Sequence, residues 1–116
     1  NVTQKSYTVI SGGSSLIVAL VLAEGMGFNF DVETDVLING GELGFKTFKS
    51  VGKTQVGSSG RFHAESGSFA AGITATVNTG NGGMMQEFIV TNTTGATVTV
   101  DIIVRRNNTG VQCYLA

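Results

Sequence analysis

A chain of 116 residues, 41% hydrophobic and 13% charged, is one domain's worth of sequence and is long enough to bury a core without disulfides. The formal net charge of -1 speaks against binding to duplex nucleic acid, because the mild cluster Lys46, Lys49 and Lys53 makes no basic patch. The charged fraction lies well under the ~25% usual for soluble domains, which leaves neutral surface that is readily buried against another subunit.

Taken in chain order, Ser6–Ile10 is the first candidate strand, followed by a Gly12-Gly13 turn. Ser15–Leu22 comes next and is apolar on both faces, so it is either central in its sheet or pressed against a neighbouring subunit. A helix over 16–26 is disfavoured by Gly25, Gly27 and the β-branched Ile17, Val18 and Val21. The longest apolar run, 16–23, is far short of the ~20 residues that span a bilayer as a helix, so no membrane span is predicted.

Phe28, Phe30 and Val32 then alternate with Asn29, Asp31 and Glu33, and 35–38 leads into the Asn39-Gly40-Gly41 turn and a strand over 42–49. Residues 50–60, with Gly57-Ser58-Ser59-Gly60, read as a surface loop. Ile73, Ala75 and Val77 alternate with Thr74, Thr76 and Asn78, and glycines at 80, 82 and 83 mark the next turn. A strand over 84–91, a four-residue turn at 92–95 and a strand over 96–106 follow. In that last strand Ala96, Val98, Val100, Ile102 and Val104 share one face. The 107–110 turn and a strand over 111–115 complete what reads as a three-stranded meander. Eight to ten short strands without a helix predict a single all-β domain over 1–116, an antiparallel β-sandwich or jelly roll.

Chemistry is sparse. His63 is the sole histidine, no serine lies in a nucleophile elbow, and one Cys with one His is too few for zinc, so no enzyme and no cofactor are predicted. Asp31, Glu33 and Asp35 share a strand face and are the calcium candidates. Their ~7 Å spacing needs carboxylates from elsewhere, and a solvated acidic face is the simpler reading. No phosphate loop is present. Phe45, Lys46, Phe48 and Lys49 are the one aromatic and basic interleaving, but the two phenylalanines face opposite ways. Without Trp, a sugar platform has only Tyr7 and Tyr114 to draw on, and a sugar- or calcium-binding β module is a further alternative for function. Asn1, Asn92 and Asn107 head glycosylation triplets, Cys113 reads as a buried thiol in the last strand, and a start at Asn1 fits removal of a leader or particle maturation.

The segment 88–104 (FIVTNTTGATVTVDIIV) and the earlier Tyr7-Thr8-Val9 with Ser11-Gly12-Gly13 resemble strand–turn–strand segments of small β-sandwich proteins of phage virions, such as capsid decoration, collar or tail proteins. The likeness covers about a third of the chain. It implies a non-catalytic structural protein on a virion, whose partners are copies of itself and other proteins of the same particle. The hairpin pattern is also similar to that of β-sandwich subunits of secreted filaments or pili, which implies an extracellular or cell-surface alternative with N-terminal strand exchange. Val2, Tyr7, Val9, Ile10, Val111, Tyr114 and Leu115 are the candidate assembly residues, since terminal strands are free to add to a neighbour's sheet.

Overall fold

The computed structural model describes residues 2–9, 13–21, 29–53, 61–80, 85–106 and 114–115. These residues form strands β1 (Val2–Val9), β2 (Ser14–Val21), β3 (Asn29–Ile38), β4 (Gly44–Lys53), β5 (Arg61–Phe69), β6 (Ile73–Gly80), β7 (Met85–Asn92), β8 (Val98–Arg106) and β9 (Tyr114–Leu115). They make two antiparallel sheets, a five-stranded one ordered β1-β8-β3-β4-β5 and a four-stranded one ordered β6-β7-β2-β9. Among the described residues no helix is long and apolar enough to cross a membrane.

Alternation sets which side chains go inside. On β8, Val98, Val100, Ile102 and Val104 are buried, as are Val32, Val36 and Ile38 on β3 and Phe88 and Val90 on β7. The sheets close on this apolar layer to form a β-sandwich. Phe48 of one sheet meets Phe88 of the other edge to face, ring centroids 5.6 Å apart. The Gln86 Nε2 donates to Ser50 Oγ at 2.7 Å and ties the two sheets through the core.

The pairing corrects the meander expected over 84–115. β7 pairs with β2 and β6, β8 pairs with β1 and β3, and β9 pairs with β2, so β7, β8 and β9 do not lie side by side. The connection after β7 crosses from one sheet to the other. It is built on Asn92, whose buried side chain accepts from the Thr94 N–H at 2.9 Å and donates to the Ala96 carbonyl at 2.8 Å. This side-chain-bonded turn replaces the tight backbone turn of a hairpin, and β8 begins at Val98, which leaves Ala96 and Thr97 in the connection. The nested pairs β1–β8 and β2–β7 have the rolled-up pairing of a jelly roll, whereas β3, β4 and β5 run as a simple meander.

Two further expectations change. The segment 50–53, read as loop, continues β4, and Ser50 is buried. β5 has no counterpart in the sequence reading, because 64–68 is small and polar and lacks the β-branched residues that mark a strand. It pairs with β4 through a register shift at Lys49/Ser50 and a close backbone approach. Gly67, at φ +91°, lies against Phe45 O and leaves no room for a Cβ there.

Candidate assembly surface

Charge is divided between the two sheets. Among the described residues, every Asp, Glu, Lys and Arg except one belongs to a strand of the five-stranded sheet or to the β3–β4 turn, and the exception is Glu87 on β7. The outer face of the four-stranded sheet is therefore nearly neutral. Its middle row runs Ile17–Ile89–Thr76 across β2, β7 and β6. Ile17 is 61% exposed, the most exposed large apolar side chain among the described residues, and Ile89 beside it is half-buried. On one side lies the row Ser15–Thr91–Thr74, in which the Ser15 and Thr91 hydroxyls are 2.8 Å apart. On the other lies Ala19–Glu87–Asn78. An isoleucine pair framed by hydroxyls and one carboxylate gives this face an apolar patch with a polar rim and few charges.

The outer face of the five-stranded sheet is its opposite. Arg105 on β8 reaches across to β3, where its guanidinium donates to both carboxylate oxygens of Asp35 and to Glu33 at 3.2 Å. Thr47 donates to the same Asp35 carboxylate at 2.8 Å, and Lys49 lies 3.9 Å from Glu33. For Asp35, burial alone pushes the pKa up. The hydrogen bonds from Arg105 and Thr47 and the attraction of the guanidinium outweigh it, so the carboxyl lies below its ordinary value. Bonding to Asp35 first, and Glu33 second, holds Arg105 more firmly protonated than usual. Two of the three calcium candidates are thus engaged by an arginine, and Asp31 continues the row as a half-buried side chain. No group of three or more metal-ligating side chains occurs among the described residues.

The terminal strands singled out from the sequence are both sheet edges. Among the described residues, β1, carrying Val2, Tyr7 and Val9, pairs with β8 alone, and β9, carrying Tyr114 and Leu115, pairs with β2 alone. Tyr7 is half-buried against the core and faces inward. Ile10 and Val111 lie outside the described residues, as do Cys113 and two of the glycosylation candidates, Asn1 and Asn107. The third, Asn92, is 0% exposed, and the nitrogen to which a glycan would attach is the one bonded to Ala96. His63 belongs to β5.

The aromatic and basic interleaving of β4 is dispersed by the pleat. Phe48 is in the core, and Lys46 turns to Glu65 at 3.7 Å and over the Phe69 ring, while Phe45 stands exposed on the far face. No stacking platform results. The face of the four-stranded sheet was legible in the sequence only through one strand, Ser15–Leu22, read as central in its sheet or pressed against a neighbouring subunit. Its signal was the two-sided apolar character of β2, which is central in its sheet and also presents Ile17 outward. Comparison with protein-family models, with curated proteins and with solved structures returns no match.

Proposed function

We propose that this chain is a non-enzymatic structural subunit that assembles by burying the outer face of its four-stranded sheet against further subunits. The supporting observation is the division of charge, with Ile17 exposed on the nearly neutral face. A charged face keeps a protein soluble and apart from its neighbours, while a neutral apolar one gains by being covered. The assembly we propose is a virion, in which the chain serves as a capsid decoration, collar or tail protein; the resemblance carried by residues 88–104 supports that choice.

A second reading draws on a separate observation. β1 is an edge strand held by β8 alone, so an N-terminal strand could pass to a neighbour's sheet and build an extracellular filament. Electron microscopy and light scattering of the purified chain at neutral pH separate the two. Discrete oligomers support the particle reading, and long filaments of this chain alone support strand exchange. A monomer at every soluble concentration contradicts self-assembly through this face.

A further inference from the structure

We propose that β6 is a self-pairing edge, through which two copies of the chain join their four-stranded sheets into one continuous sheet. The inference rests on the assembly reading above and specifies one of its contacts. Among the described residues, four strands have a neighbour on one side only: β1, β5, β6 and β9. An exposed edge is a template for another strand, and proteins block it with charge, proline, bulges or shortness. β9 is two residues long. β1 carries Lys5, which is exposed. β5 carries Arg61 and Glu65, pairs through a register shift and has Gly67 at positive φ. β6 has none of these devices. Its eight residues, Ile73–Gly80, include no charge and no proline, and they pair with β7 in unbroken register.

The missing charge points to a second copy of this chain as the partner. When identical edges pair about a two-fold axis, each strand meets its own sequence reversed, and a charge near the axis meets itself. Of the three longer strands with a neighbour on one side only, β1, β5 and β6, β6 is the one without charge, and it pairs along its whole length on the other side. With the axis at Thr76, the outward row becomes Thr76 opposite Thr76 and Thr74 opposite Asn78, pairs whose hydroxyl and amide groups can hydrogen-bond. Facing inward, Ala75 meets Val77, and Val77, half-buried in one copy, gains cover from the second.

The join also enlarges the neutral face. The row Ile17–Ile89–Thr76 continues through the axis into its two-fold-related copy, so one surface carries two isoleucine pairs. Strands 4.8 Å apart with a 3.4 Å rise give the three full-length strands a face of roughly 400 Å². Two copies give roughly 800 Å², the area that each partner of a standard interface buries.

The test uses the full chain with Thr76→Lys and Thr76→Glu, followed by sedimentation velocity and light scattering. Thr76 is exposed on the outer face, so both variants keep the core intact, and far-ultraviolet circular dichroism and melting check this. The wild type is expected at twice the 12.0 kDa chain mass or at even multiples of it, and each variant alone is expected as species without the β6 pair. Mixing the two variants restores one-to-one pairs, because Lys then faces Glu across the axis. Folded variants that associate as the wild type does would overturn the inference, and so would a mixture that fails to pair. If association persists in the Thr76 variants yet is lost in Ile17→Lys, the β6 contact is wrong while the assembly reading stands.

Discussion

At the scale of single residues, Arg105 decides what the acidic row on β3 does. Period-two spacing places Asp31, Glu33 and Asp35 on one face, and that much is legible in the sequence. It does not say which strand lies alongside, and the strand alongside is β8, which brings a guanidinium between the two carboxylates. The pH behaviour follows. A carboxyl whose folded pKa is lowered stabilises the fold fully above its unfolded titration near pH ~4, and that stability is lost as pH falls through the lower folded value. Replacing Arg105→Gln should raise the Asp35 pKa, as followed by carboxyl-carbon NMR during acid titration. It should also flatten the dependence of the urea midpoint on pH below ~4. An unchanged Asp35 titration would mean that Thr47 alone sustains the lowered value.

At the scale of elements, periodicity tells which face of a strand is buried and is silent about which sheet the strand joins. β7 and β8 each have a clean buried face, and either a hairpin or a crossing between sheets would satisfy both. The crossing is specified by Asn92, a polar residue at a position of the buried row, whose amide satisfies the turn after it. Asn92→Ala removes that capping and leaves the Thr94 N–H and the Ala96 carbonyl without this partner. The expected loss is about 2 kcal/mol of unfolding free energy in urea denaturation, against a change near zero for Thr97→Ala on the exposed part of the same connection. β5 was illegible for a different reason. Its place is fixed by backbone pairing with β4 and by glycine at the close approach, not by side chains that favour strands.

At the scale of the whole molecule, the sequence's low charge becomes informative only once the sheets are assigned. The same count spread evenly would make a weakly charged monomer. Gathered onto one sheet, it leaves the other with a neutral face centred on Ile17 and Ile89. The apolar run of β2 foreshadowed this, since a strand that is apolar on both sides needs cover on both sides. Burying Ile17 at a subunit contact contributes about 2 kcal/mol, so placing a lysine there should weaken association about thirty-fold or more per contact. The most direct test is sedimentation equilibrium of the wild type beside Ile17→Lys at matched concentration and neutral pH. The wild type is expected at a mass well above the 12.0 kDa chain, and the variant at a clearly lower mass with an unchanged melting temperature. Equal masses for the two proteins would contradict assembly through this face.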